Sequence, residues 1–170
     1  MSPGVLDPAS EGPLARLAAL GLRLPPVASP VAAYLPAVRV GDLVWTSGQL
    51  PMVAGALAVT GKVGAEVDPE QAHDLARVCA LNALAAVASV VGDLTQVRRV
   101  VKVVGFVASA PGFTGQPAVV NGASELLAAV FGDAGRHARS AVGVAALPLD
   151  SPVEVEIVVD VGGVPGQGGG

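Results

Sequence analysis

Arg139 stands alone. In the stretch HARSAVGVAALP, residues 137–148, it opens a run of small apolar residues, and the next charged side chain is Asp150. A guanidinium is a rigid fork of N–H donors that holds a carboxylate through two parallel hydrogen bonds, fixing its orientation as a lysine would not. Two carboxylates, Glu154 and Glu156, alternate with valine and isoleucine in VEVEIVV, residues 153–159. As residue types alone, Arg139 and Glu154 leave two readings open: an ion pair across adjacent strands, or an anion-binding cation beside a general base. His137 precedes Arg139 by two positions and could tune the mouth of a pocket. No paired serine or cysteine arrangement with it suggests a nucleophilic mechanism. His73, near the start of a helical pattern, reads as a surface residue, and Trp45 as a packing residue. The single cysteine, Cys79, falls in that helical pattern and reads as a small core residue, which suits a reducing compartment and excludes an internal disulfide. The glycines lack the Gly-Lys-Ser/Thr of a phosphate loop.

These groups need a frame, and 170 residues are enough for one domain with its own core. Hydrophobic residues make up 52% of the chain and aromatics 3%, so the core is built of alanine, valine and leucine and its elements must approach closely. The net charge is -4 and the one adjacent basic pair, Arg98 and Arg99, starts no basic stripe, so no nucleic-acid partner is expected. The most apolar stretch, ALNALAAVASVVG from Ala80, is shorter than the roughly 20 residues that cross a bilayer. With no signal-peptide pattern at the start, a soluble cytoplasmic protein without a membrane partner is expected.

The chain divides into a proline-rich arm (1–30), a folded domain (31–161) and a glycine-rich tail (162–170) expected to be disordered. Within the arm, PLARLAALG has the pattern of a short helix ended by Gly21. Strands are predicted over 37–48 and 53–59. A helix follows, with Asp68 as N-cap, Pro69 in its first position, Gly92 past its end, and Leu75, Val78, Cys79, Asn82, Ala86 and Val90 on one face. Then come a valine-rich strand (97–109), a second helix (117–131, ended by Gly132) and strands over 138–147 and 153–160. This order predicts an α+β fold with both helices on one face of a mixed sheet. In the last strand, period-two alternation turns Val153, Val155 and Ile157 to the helices and Glu154 and Glu156 away from them. The uncovered face keeps many valines, so it is expected to be buried against other copies of the chain, with cavities at the glutamates.

Three ordered segments carry a family resemblance: VGDLVWTSGQLP (40–51), FVASAPGFTGQPAVVNGASELLAAVFG (106–132) and ARSAVGVAALPLDSPVEVEI (138–157). Over about 125 residues, Tyr34 to Asp160, the chain resembles the RidA (YjgF/YER057c/UK114) family of trimeric imine/enamine deaminases with a bacillus-type chorismate-mutase-like fold. The resemblance implies a homotrimer that needs no cofactor or metal and hydrolyses reactive 2-imino or enamine acids to 2-oxo acids and ammonia. It implies that Arg139 grips the substrate carboxylate and that Glu154, six residues after Pro148, sits near the attacking water. It further implies that Tyr34, from a neighbouring subunit, and Ser47, Gly48, Asn121 and the backbone of Ala141 line the substrate pocket. The chain departs from the family at Ala141, where a cysteine is common, at Pro36, where a glutamine is usual, and in its longer arm. Besides the deaminase, two other functions fit the resemblance: a non-catalytic trimer binding small carboxylate metabolites, and a member specialised for one biosynthetic pathway. RNA cleavage, a label also attached to the family, fits worst with an acidic chain poor in aromatics.

Overall fold

Gly41 and Asp42 break the first predicted strand in two. With Gly41 at φ 60°, the chain reverses, and β1 (Ala37–Val40) pairs antiparallel with β2 (Leu43–Thr46) instead of running on to residue 48. The second predicted strand also becomes a hairpin. β3 (Met52–Val53) and β4 (Ala56–Leu57) flank Ala54 and Gly55, both at positive φ, as a type I′ turn requires, and form a small sheet of their own. These elements belong to a computed structural model of the chain, which describes residues 12–27 and 33–162. The rest of the arm and the tail beyond residue 162 lie outside the described residues.

The two long helices follow their caps. In α2 (Pro69–Val91) the Asp68 carboxylate accepts from the Glu70 N–H at 2.8 Å and Gly92 ends the helix at φ 83°. α3 spans Gln116–Phe131 and stops at Gly132. β5 (Arg99–Ala108), β6 (Ala138–Val144) and β7 (Val153–Asp160) complete the main sheet, whose order is β1-β2-β7-β5-β6. All neighbours are antiparallel except β5 and β6, which run parallel because α3 carries the chain back between them.

Both helices cover one face, as the alternation predicts. Val153, Val155 and Ile157 are fully buried there with Val103 and Val107 of β5 and Leu84 and Leu127 of the helices. Burying a valine or leucine side chain contributes about 1.5–3 kcal/mol, so this layer is the main stabilising unit. α2 and α3 pack closely at Gly122, where a Cβ would overlap the His73 carbonyl oxygen. A third helix, α1 (Pro13–Ala19), forms where the arm predicted one; its Leu17 is buried and Arg16 donates to the Val130 carbonyl at 3.1 Å. α2 runs to 23 residues, longer than its most apolar stretch suggested, and by length and composition could cross a membrane, but most of it is buried as the central core helix.

The other sheet face is bare. Val38, Val40, Trp45 and Val142 are exposed on it, beside Lys102, whose ammonium donates to Ser140 Oγ at 3.0 Å. Trp45 therefore does not pack in the core of one chain, because its partners in register, Val38 and Val158, share the uncovered side.

Candidate active site

Arg139 lies near the start of edge strand β6, opposite the core residue Val103, and turns to the helix side of the sheet. There α3 presents Pro117, Asn121, Ser124 and Ala128 at helical spacing along one stripe. Arg139 Nη1 donates to Asn121 Oδ1 at 2.7 Å and to Ser124 Oγ at 3.1 Å, and Nη2 donates to the Pro117 carbonyl at 3.3 Å. Arg139 and Asn121 are thus brought together. Ala141, two positions on, faces the same way beside Gly105 and supplies no thiol.

Behind the guanidinium lies a recess of about 330 Å³ lined by Ser124, Ala128, Gly135, Arg136, His137 and Arg139. His137 Nδ1 is 2.6 Å from the Gly135 carbonyl and Nε2 is 3.0 Å from Ser124 Oγ. The carbonyl can only accept, so Nδ1 carries the proton, and Ser124 must donate to Nε2 while accepting from Arg139. Burial, aided by the charge of Arg139, pushes the His137 pKa below its ordinary value, against the opposing pull of the Gly135 carbonyl. A neutral imidazole completes this one-way chain. Spacing in the sequence pairs no serine with a histidine; the fold makes that pair by returning the chain through Gly132–Gly135 after α3.

Glu154 is held elsewhere. It lies opposite Phe106 in β7, on the bare face with Glu156. A Cβ at Gly48 would overlap its carboxylate, so a larger residue where the 47–50 loop crosses Glu154 would displace that side chain. That loop is tied down from three sides. Gln49 exchanges backbone hydrogen bonds of 2.8 and 3.0 Å with Val155, and Ser47 Oγ donates to the Leu35 carbonyl at 2.6 Å, drawing the Tyr34–Pro36 segment alongside. From α2, Asn82 donates to the Leu50 and Met52 carbonyls at 2.9 and 3.1 Å. This explains an asparagine on an otherwise apolar helix face, and its role in placing the loop is not visible in the spacing. Burial first, and the neighbouring charge of Glu156 second, push the Glu154 pKa up. Cys79 sits in the core as expected, its thiol pKa raised by burial and then by Glu154.

Two separate groups result: Arg139 with Asn121, Ser124 and Ala141, and Glu154 with Ser47, Gly48 and the segment of the half-exposed Tyr34. They do not meet within one chain. β5 separates β6 from β7, and Arg139 is in register with Val103 whereas Glu154 is in register with Phe106. That offset is roughly 10 Å along the strands and roughly 10 Å across them, with the two side chains on opposite faces. An ion pair across adjacent strands is therefore ruled out. Among the described residues no cluster of three His, Cys, Asp or Glu side chains could hold a metal.

The family model described as "YjgF/chorismate_mutase-like, putative endoribonuclease" matches residues 14–161. Protein TCP17 of Trypanosoma cruzi is 44% identical over 148 residues, 86% of this chain and 92% of that protein. The chain belongs to the YjgF/RidA family. Its fold is shared with the crystal structure of Atu1372 from Agrobacterium tumefaciens, at a TM-score of 0.83 and 48% identity over 88% of this chain and 92% of that one. Escherichia coli TdcF with bound serine is a more distant YjgF/RidA structure, at a TM-score of 0.56 and 25% identity over 81% of this chain and 93% of that one. The match to the YjgF/RidA model begins inside α1, in keeping with the burial of Leu17.

Proposed function

We propose that this YjgF/RidA protein hydrolyses small 2-imino or enamine acids to 2-oxo acids and ammonia, at a site completed by two copies of the chain in a homotrimer. The observation that carries the reading is the way Arg139 is held at a sheet edge. Of the five N–H groups of a guanidinium, three donate to Asn121, Ser124 and the Pro117 carbonyl, which leaves two to receive a carboxylate without reorganisation. Serine bound to TdcF is a ligand with such a carboxylate.

With the substrate carboxylate on Arg139, the C=N carbon is presented to Glu154 of a neighbouring copy, with Tyr34 and the Ser47–Gly48 turn walling the pocket. A water adds to that carbon and gives one proton to Glu154; the carboxyl returns it to the nitrogen, the C–N bond breaks as the C=O forms, and the hydroxyl proton leaves through the Glu154 carboxylate to the departing ammonia. One water and one iminium acid give one 2-oxo acid and one ammonium ion. A carboxyl whose pKa is raised by burial suits this exchange, because it is a stronger base toward the water than an ordinary carboxylate. The exposed valines and Trp45 of the bare face supply the apolar surface on which copies would associate.

The test is to generate a 2-imino acid enzymatically and trap it with semicarbazide in competition with the protein. Faster loss of trappable imine supports hydrolysis. Unchanged trapping together with tight calorimetric binding of a 2-oxo acid would make the protein a carboxylate-binding trimer instead.

A further inference from the structure

Ser124 Oγ and His137 Nε2 lie 3.0 Å apart, and His137 Nδ1 is fixed by the Gly135 carbonyl at 2.6 Å. A hydroxyl bonded to an imidazole whose far nitrogen is held by an acceptor is the arrangement that activates serine as a nucleophile. The acceptor sets the tautomer and the ring orientation, and the free ring nitrogen is left to take the hydroxyl proton. Burial keeps the His137 ring neutral, the form a base needs. Imine hydrolysis with Glu154 as the base makes no use of that proton.

The pair is open to a small molecule. Ser124 and His137 are half-buried, and both line the recess of about 330 Å³ with Ala128, Gly135, Arg136 and Arg139. Ala128 and Arg136 are exposed, so the recess communicates with solvent, and its volume lies at the small end of the roughly 300–1,000 Å³ of ligand sites. Ser124 Oγ has two lone pairs. One accepts from Arg139 Nη1 at 3.1 Å, and the other is free to attack a carbonyl carbon. The same guanidinium holds a fixed positive charge beside the attacking oxygen, where an oxyanion would develop, and no carboxylate is among the lining residues to oppose it.

We propose that Ser124 and His137 are a catalytic pair that hydrolyses short-chain carboxylic esters. Ser124 Oγ bonds to the ester carbonyl carbon as its proton passes to His137 Nε2. The tetrahedral intermediate, its oxyanion stabilised by Arg139, breaks its bond to the alcohol oxygen, which takes the proton from His137. Water then adds to the acyl-serine carbonyl and gives a proton to His137, and the acid departs as that proton returns to Ser124 Oγ. One ester and one water give one carboxylic acid and one alcohol. This activity does not depend on imine hydrolysis at Arg139 and Glu154.

The probe is 4-nitrophenyl acetate, mixed with the full chain and followed by nitrophenolate release and peptide mass spectrometry. A burst of about one nitrophenolate per chain is expected, with the acetyl group on Ser124. Nitrophenolate released at other side chains leaves no acetyl-serine, so the position of the acetyl group decides. Acylation of Ser124 should slow about 10²- to 10⁴-fold in His137→Gln, which removes the base, and about 10²- to 10³-fold in Arg139→Ala, which removes the oxyanion donor. Ser124→Ala should show neither burst nor acetyl group. Ala128→Leu, at an exposed position, should slow acylation by filling the recess while leaving the melting temperature unchanged, which keeps the test valid should a substitution in the pair fail to fold. No acetyl group on Ser124 in the wild type, or acylation of Ser124 as fast in His137→Gln as in the wild type, would overturn the proposal.

Discussion

Removing one hydroxyl tests whether Arg139 is pre-positioned. In Ser124→Ala, Arg139 loses the acceptor at 3.1 Å and His137 Nε2 loses its donor at 3.0 Å, while the Asn121 and Pro117 contacts remain. A hydrogen bond contributes about 0.5–1.5 kcal/mol net, and about 1.5–3 where one partner is charged. Ser124 and Arg139 are only half-buried and water can replace part of what is lost, so the lower end applies. A loss of about 1–2 kcal/mol corresponds to a fall of about 5- to 30-fold, and the surviving Asn121 contact places the expectation near fivefold. The assay is calorimetric titration with pyruvate as a carboxylate probe: the Kd should rise about fivefold in Ser124→Ala and recover in Ser124→Thr, which keeps the hydroxyl. An unchanged Kd in Ser124→Ala, alongside abolished binding in Arg139→Ala, would show that the Ser124–His137 chain does not place the guanidinium.

Three further outcomes follow from the Glu154 half-site. Glu154→Gln should abolish turnover yet stabilise the fold at neutral pH: a raised folded pKa means the folded chain binds more protons than the unfolded chain above the ordinary value of 4.5, so wild-type stability falls as pH rises through the folded pKa, and the wild-type minus variant difference in denaturant melts should show that slope. Gly48→Ala should displace the Glu154 carboxylate and lower kcat by about 10²- to 10⁴-fold, the usual contribution of a positioned acid–base group, with no further loss when combined with Glu154→Gln. Asn82→Ala removes two donors to the Leu50 and Met52 carbonyls and should destabilise the fold by about 1–3 kcal/mol; an unchanged Tm would deny Asn82 its part in holding the loop.

The helices were legible because their ends are written in the sequence: Asp68-Pro69 and Gly92 bracket α2, and Gly132 stops α3. The face of Glu154 was also legible, since strict alternation in β7 leaves its side chain one way to point. β6 offers no such signal. ARSAVGV has small residues on both faces of an edge strand, so nothing local says that Arg139 turns to α3 while Glu154 turns to the opposite side. The hairpin at Gly41 has the pattern of a continuous strand because β-branched residues flank it on both sides. Ser124 and His137 meet only through the tertiary return of the chain after α3, and Asn82 looked like one more helix-face position until the loop beneath it was in place.

The central claim is that Arg139 of one copy works with Glu154 of another. Arg139→Ala and Glu154→Gln, each inactive alone, should be unfolded together in equal amounts, refolded, and assayed for imine hydrolysis. Random assembly leaves about a quarter of the shared sites with both groups intact, so about a quarter of wild-type activity should return. Co-refolded oligomers that remain as inactive as either variant would contradict the account.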